Sequence, residues 1–143
     1  MNKRMKWKKE YRFGIDAIDS QHRLLFAIAN ELMDFENPVE EGAEFKYLFN
    51  HLKKYVEEHF QFEERFMKEI EFPDLNEHLV KHAEIVEGIN KVFKSSRDLK
   101  DLKERLETLM YQWITGHILM EDKKYAEWNS IKKTTQHGPE PNQ

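Results

Sequence analysis

Apolar residues recur at steps of three and four residues along four long stretches of this 143-residue chain. This spacing places them on one face of an α-helix, and no alternating run bounded by turn residues, as expected of a strand, interrupts it. Residues that favour turns separate the stretches: Asn37-Pro38, Phe72-Pro73-Asp74 and Ser95-Ser96-Arg97-Asp98. The pattern therefore predicts helices over about 19–35, 39–70, 74–94 and 97–128.

Each apolar stripe is narrow and lies opposite a face rich in Lys and Glu, so each helix needs partners on one side only. The short connections favour antiparallel neighbours, which predicts an all-α fold, an up-down-up-down antiparallel four-helix bundle over residues 18–130. We expect Asp19 or Ser20 to cap the first helix. Residues 131–143 are expected to form a disordered tail, and residues 1–17 an extended N-terminal arm packed on the bundle through Trp7, Tyr11, Phe13 and Ile15.

The composition excludes several classes of protein. The chain has no cysteine, which rules out disulfides, thiolate metal sites and cysteine nucleophiles. A net charge of -4 argues against a nucleic-acid partner. No apolar run is long enough to span a bilayer, and the basic residues 1–10 are not followed by the apolar segment of a secretory signal. We therefore expect a cytoplasmic protein without membrane insertion, and we favour a monomer.

The seven histidines are the most informative residues for function. Five of them fall on the predicted apolar stripes, with at least one on each helix: His22, His59, His78, His82 and His117. A single buried histidine is usually an ordinary core residue with a hydrogen-bond partner. Five along one bundle axis would each need a partner in an apolar core, where an unsatisfied polar group costs roughly 1–3 kcal/mol. A bound metal accounts for all five together.

Two carboxylates strengthen the metal hypothesis. Glu63 follows His59 by four residues, so both lie on one helical face. Asp122 follows His117 by five residues, which an ideal helix rotates by about 140°. Asp122 therefore either reaches across or marks an irregularity in the helix. Either carboxylate taken alone is more simply an ordinary surface charge, but beside five aligned histidines that alternative is weaker.

Five imidazoles and two carboxylates are too many ligands for one ion. If both carboxylates bridge two six-coordinate ions, the protein fills roughly nine of twelve positions, as suits iron or manganese. A bridging oxygen fills two more and leaves about one position open, on the ion with fewer histidines. Tetrahedral structural zinc does not fit this count. The residues predict a two-metal site that binds one small ligand.

The same residues carry a resemblance to a known family. The matching segments are Gly14-Ile15, Ile18-Asp19-Ser20-Gln21-His22, His59-Phe60-Gln61-Phe62-Glu63-Glu64, His78-Leu79-Val80-Lys81-His82 and His117-Ile118-Leu119-Met120-Glu121-Asp122. In their order and spacing, over about residues 7–128, the chain resembles the hemerythrins, in particular the single-domain bacterial ones. The resemblance implies a non-haem di-iron centre that binds O2 reversibly.

The resemblance also implies a role for each candidate ligand. His78, His82 and His117 would hold one iron ion with complete coordination, and His22 and His59 the other, which has the open position. Glu63 and Asp122 would bridge both ions, together with an oxo or hydroxo group. The protein would then be an oxygen carrier, store or supplier to oxygen-using enzymes rather than an enzyme.

The expected O2 pocket is apolar, with walls from Leu25, Phe62, Trp113, Ile114 and Ile118. An apolar wall excludes water and protons. We expect no Ser, Thr, Tyr or Lys beside the open iron as a proton donor. His51 is predicted to be exposed and His137 to lie in the tail, both outside the site. The protein residues that hydrogen-bond the ligand imidazoles are not identified by the sequence.

Two other functions stay open on the same scaffold. One is a sensor of O2, NO or redox state, which would act through a separate partner. The other is a di-iron oxidase, peroxidase or NO-handling enzyme, although carboxylate-rich sites suit oxygen activation better than histidine-rich ones.

Overall fold

The computed structural model describes residues 5–136. In that part of the chain all regular structure is helical: a 3₁₀ turn at Lys9–Tyr11, then α1 (Asp16–Met33), α2 (Gly42–Glu69), α3 (Leu75–Ser95), α4 (Leu99–Gln112), a π-helix (Trp113–Asp122) and α5 (Lys123–Gln136). α4, the π-helix and α5 follow one another directly and form a single long fourth helix. α1 packs on α2, α2 on α3, α3 on α4, and α4 returns to α1. The predicted four-helix bundle is confirmed.

The first helix begins at Asp16, ahead of the predicted start at Asp19. No side chain caps it, so the prediction of a cap from Asp19 or Ser20 is wrong. The buried Asp19 carboxylate instead accepts hydrogen bonds from the backbone N–H groups of Phe13 (2.8 Å) and Gly14 (3.1 Å). Gly14 has a φ of 76°, which a residue without Cβ adopts without strain. Asp19 thus holds the preceding segment onto the helix.

The fourth helix continues past the predicted end of the bundle at residue 130, as far as Gln136. Two side chains tie its last turns to the connection between α2 and α3. The indole N–H of Trp128 donates to the carbonyl oxygen of Ile70 (2.8 Å), and Lys132 Nζ donates to the same oxygen (3.0 Å). These bonds favour helix where the sequence predicted the start of a tail. The rest of that tail, with His137, lies outside the described residues.

The segment before α1 is partly helical rather than extended throughout, since it contains the 3₁₀ turn. Its backbone is held by Asn30, whose side chain accepts from the Met5 N–H (2.8 Å) and donates to the Met5 carbonyl (2.9 Å). Trp7 and the buried Tyr11 lie 5.3 Å and 5.0 Å from the ring of Phe26. These contacts place the segment along α1.

The core consists of two apolar clusters along the bundle. The larger runs through α1, α2, α3, α4 and the π-helix and includes Leu25 and Ile118. The smaller contains Ile18, Met67, Phe72 and Tyr125. On α1, for example, Ile18 belongs to the smaller cluster and Leu25 to the larger one, with His22 between them. Among the described helices none has the length and apolar character that crossing a membrane requires.

Candidate metal centre

All seven candidate ligands lie at one level of the bundle, between the two apolar clusters. α1 supplies His22, α2 supplies His59 and Glu63, α3 supplies His78 and His82, and the π-helix supplies His117 and Asp122. Each is buried, the most exposed being His117 at 6%. Their ligand atoms form two groups within which all atoms lie within 4.8 Å of one another. One group holds His22 and His59, the other holds His78, His82 and His117, and Glu63 and Asp122 belong to both.

The π-helix explains how a spacing of five residues serves this site. Hydrogen bonds from residue i to i+5 widen the turn, so residues five apart lie on successive turns instead of about 140° apart. Asp122 Oδ1 accordingly lies 2.9 Å from Nε2 of His117. Of the two alternatives that the sequence left open for Asp122, the structure shows the helix irregularity.

Asp122 faces both groups of histidines. Its Oδ1 atom lies 3.0 Å from Nε2 of His78, in addition to its contact with His117, and its Oδ2 atom lies 3.3 Å from Nε2 of His22. One oxygen therefore points to the three-histidine group and the other to the two-histidine group. This is the arrangement expected of a carboxylate that bridges two ions.

Glu63 is also shared between the groups. Its Oε1 atom lies 3.1 Å from Nε2 of His59 and 3.4 Å from Nε2 of His82, and its Oε2 atom lies 3.7 Å from Nε2 of His22. Glu63 is completely buried. A lone buried carboxylate is costly unless it is paired or binds a cation.

The polar atoms at this level lack ordinary partners. Among the described residues, ten buried side-chain nitrogen and oxygen atoms have no hydrogen bond, and eight of them belong to this cluster. They include both ring nitrogens of His22, both carboxylate oxygens of Asp122, and Nε2 of His78, His82 and His117. Buried groups of this kind are normally hydrogen-bonded. Convergent, unpartnered nitrogen and oxygen donors fit bound metal ions of the iron or manganese type.

Without metal the cluster behaves as a set of buried charge pairs. Burial lowers the pKa of His22, but the adjacent carboxylates of Asp122 and Glu63 outweigh this and raise it from 6.5 to about 9. Burial acts to raise the pKa of Glu63, yet the neighbouring imidazoles, His59 first, hold it well below its ordinary value. The pKa of Asp122 is likewise lowered, because His117 and His22 outweigh burial and the charge of Glu63. Both carboxylates are therefore anionic and suited to a cation.

Two polar side chains that the sequence did not identify orient the imidazoles. Nδ1 of His59 donates to Oε1 of Gln21 (2.6 Å), and Nδ1 of His82 donates to Oε2 of Glu64 (2.9 Å). Each bond leaves Nε2 with its lone pair directed into the cluster, which is the usual arrangement around protein-bound metals. Both partners adjoin a predicted ligand in sequence, but each contacts a histidine on another helix.

Tyr125 is a third polar residue that the sequence missed. It is completely buried, and its hydroxyl donates to Oε2 of Glu63 (2.5 Å). Burial and the nearby charges of Glu63 and Asp122 raise the pKa of Tyr125 well above 10, so the hydroxyl keeps its proton. A tyrosine therefore stands beside the cluster, but its hydroxyl donates to Glu63. The expectation that no tyrosine lies beside the open ion as a proton donor stays a prediction. The position of Tyr125 three residues after Asp122 was the available signal.

The predicted apolar walls divide between the two clusters. Leu25, Trp113, Ile114 and Ile118 belong to the larger cluster and are buried, whereas Phe62 is half-buried and packs against the smaller one.

A different phenylalanine touches the histidines closely. Phe60 stacks on His82 with 3.7 Å between ring centroids and 5° between planes, and lies 5.5 Å from Trp113. Phe60 lies three residues before Glu63, on the same helical face.

His51 is exposed, as predicted.

Comparisons with known proteins agree with this geometry. Residues 14–128 match the family model of the hemerythrin HHE cation binding domain. The chain is similar to a bacteriohemerythrin of Clostridium acetobutylicum, with 33% identity over 127 residues that cover 85% of this chain and 98% of the relative. It is also similar to bacteriohemerythrins of Campylobacter jejuni (30% identity, covering 82% of this chain and 89% of the relative) and Stenotrophomonas maltophilia (26% identity, covering 85% and 78%).

Proposed function

Because the chain belongs to the hemerythrin family, we propose that it binds two iron ions at this cluster and takes up O2 reversibly there. The observation that carries the proposal is the pair of buried carboxylates, Glu63 and Asp122, each of which belongs to both groups of histidines. One mononuclear site would not need two shared anions. Two adjacent cations would, since the anions offset their mutual repulsion in a medium of low dielectric constant.

The two groups differ in their number of imidazoles, and this difference supports a single open position. His78, His82 and His117 with the two carboxylates offer five ligands to one ion. His22 and His59 with the same carboxylates offer four to the other ion. For six-coordinate ions that also share a bridging oxygen, the two-histidine ion has room for one small ligand.

Bound ferrous ions supply the electrons that O2 takes up on binding. The protein's own contribution is to hold the ligand nitrogens in place and keep water out. Gln21 and Glu64 orient two of the imidazoles through their Nδ1 atoms. Leu25 and Ile114 are completely buried and belong to the larger apolar cluster. As apolar walls of the O2 pocket they would exclude water and protons.

The ligand set favours binding over turnover. Five imidazoles and two carboxylates make a site richer in histidine than the carboxylate-rich centres that suit oxygen activation. We therefore propose a carrier, store or supplier of O2 to oxygen-using enzymes, and no enzymatic activity of its own.

The test combines metal analysis with an anaerobic O2 titration followed by visible spectroscopy. We expect two iron ions per chain, and a charge-transfer band that appears when the ferrous protein meets O2 and disappears under argon. The His51→Ala variant of the protein serves as a control, since His51 is exposed and outside the cluster. A band that never forms, or forms and does not reverse, contradicts the proposal, as does sustained turnover of a reductant or of NO.

A further inference from the structure

Tyr125 is a buried polar side chain that hydrogen-bonds a candidate ligand without being one itself. Its hydroxyl donates to Glu63 over 2.5 Å. Its ring is held among other aromatic rings, with centroids 5.8 Å from Phe66, 6.4 Å from Phe72 and 5.7 Å from His78. This packing fixes the hydroxyl in direction as well as distance.

The hydrogen bond from Tyr125 makes the two carboxylate oxygens of Glu63 inequivalent. The hydroxyl binds Oε2, which is the oxygen facing His22 in the two-histidine group. Oε1, which faces His59 and His82, has no hydrogen bond among the described residues. The two carboxylates also differ, because both oxygens of Asp122 lack such a bond in the described part of the chain. One of four carboxylate oxygens is therefore restrained by an outside donor.

We propose that Tyr125 is a positioning residue for the two-histidine ion, the one that takes the small ligand. The inference rests on the proposed metal binding at this cluster. A hydrogen bond to an ionised acceptor is short and strong, so it holds Oε2 beside His22 before the ion arrives. Without the hydroxyl, Glu63 keeps its charge but loses its fixed direction on that side.

Removal of the Tyr125 hydroxyl should affect one of the two ions more than the other. Residues that orient metal ligands typically affect affinity by roughly 10–100-fold when they are removed. Oε1 lies near a histidine of each group, His59 and His82, whereas Oε2 lies near His22 alone. If Oε1 serves the three-histidine ion, Oε2 is the oxygen left for the two-histidine ion. Loss of the Tyr125 hydroxyl therefore weakens binding of that ion and leaves the three-histidine ion tightly held. A tyrosine that only filled space in the smaller apolar cluster would affect both ions alike, or neither.

The test is Tyr125→Phe, which keeps the ring and removes only the hydroxyl. Tyr11→Phe is the matched control, since Tyr11 is buried at 4% exposure and packs on Trp7 and Phe26 instead. The iron-loaded wild type and both variants are titrated anaerobically with a chromogenic ferrous chelator. ⁵⁷Fe Mössbauer spectra identify which ion leaves first, and melting curves of the metal-free proteins show whether the fold is intact.

We expect the Tyr125→Phe protein to release one ion, the less coordinated one, at a chelator concentration about tenfold lower than wild type. The second ion and the Tyr11→Phe control should behave as wild type. Release of both ions together, or at wild-type concentrations, overturns the inference while leaving the proposed function intact. A wild type that takes up no iron overturns both. Ultraviolet resonance Raman of the wild type gives a second check, since Tyr125 should report a donated hydrogen bond that the variant lacks.

Discussion

The ring of Phe13 lies edge-on against the imidazole of His22, with 5.7 Å between their centroids and an interplanar angle of 87°. Phe13 comes from the segment before α1, and Asp19 holds its backbone N–H. The same ring lies 6.2 Å from Tyr125. The N-terminal segment thus covers the two-histidine side of the candidate centre.

Phe13→Ala is therefore predicted to open that side to solvent. Iron should be removed by an external chelator several-fold faster, and the ferrous protein should oxidise irreversibly in air faster, because water reaches the site. Stopped-flow chelation measures the first effect. Phe35→Ala is the control, because Phe35 is also half-buried but packs on Phe45 beyond the other end of α1. Equal rates in the two variants would contradict a covering role for Phe13.

Replacing a shared carboxylate should affect both ions. Asp122→Ala removes one oxygen from each group, and we expect its iron content to fall from two ions to one or fewer. Glu121→Ala is a close control, since the neighbouring Glu121 pairs with Lys81 and Lys124 outside the cluster. Iron analysis after desalting decides the result. Two tightly held ions in the Asp122→Ala protein would show that Asp122 does not bridge.

Histidines on one helix provide a second pair of variants. His59→Ala should lose the two-histidine ion and the reversible O2 band, because its Nε2 atom lies among the candidate ligands. His51→Ala, two turns earlier on α2 and exposed, should retain both ions and the band. Visible spectra in air and under argon compare the two proteins. A reversible band of normal intensity in His59→Ala would exclude this residue as a ligand.

Gln21 should affect metal affinity only through its hydrogen bond with His59. Gln21→Ala removes the acceptor of the Nδ1 proton, and we expect iron affinity at the two-histidine group to fall by roughly 10–100-fold. Gln61→Ala is the control, because Gln61 is exposed. Chelator competition measures the affinity of each ion. Identical affinities in the Gln21→Ala and Gln61→Ala proteins would argue against an orienting role.

The metal-free protein should lose stability as the pH rises through the neutral range. The pKa of His22 is raised from 6.5 to about 9, so its stabilising contribution is complete below about pH 6.5 and disappears as the pH approaches 9. At about 1.4 kcal/mol per pKa unit the loss is on the order of 3 kcal/mol. Glu63 and Asp122 affect stability at acidic pH instead. Because their pKa values are lowered, their contribution to folding stability is lost only when acid protonates the carboxylates.

Urea unfolding at several pH values measures this dependence. Metal-free His22→Gln should show a weaker alkaline decline, with the remainder due to His82, whose pKa Glu63 and Glu64 also raise. His51→Gln should keep the full decline. The iron-loaded wild type should lack the decline, since bound metal replaces the protons on His22 and His82. A metal-free wild type whose stability stays constant from pH 6.5 to 9 would contradict the raised pKa.

Much of the site follows from the period of the α-helix. His59 and Glu63, and likewise His78 and His82, are four residues apart, so each pair had to share a face wherever the helix packed. The apolar stripes on either side then required that face to be buried. These positions could be read without any knowledge of how the four helices are arranged.

Other positions could not be read in this way. Phe62 and Phe60 are both apolar residues beside His59 and Glu63, and only the rotation of α2 within the bundle placed Phe60 on His82. Tyr125 lies 62 residues from Glu63 in the chain, and Gln21 lies 38 residues from His59. No local pattern links residues so far apart, since their contact depends on how α1, α2 and the fourth helix pack.

Residue type and helical period are sufficient to predict the four helices, the burial of five histidines and a supply of nitrogen and oxygen donors without thiols. The contact of His117 with Asp122 depends instead on a π-helix that the local sequence does not require. Helix packing also divides the seven candidate ligands into two groups that share two carboxylates. The reason is physical: a helix fixes which residues share a face, but only the packing of four helices fixes the distances between faces.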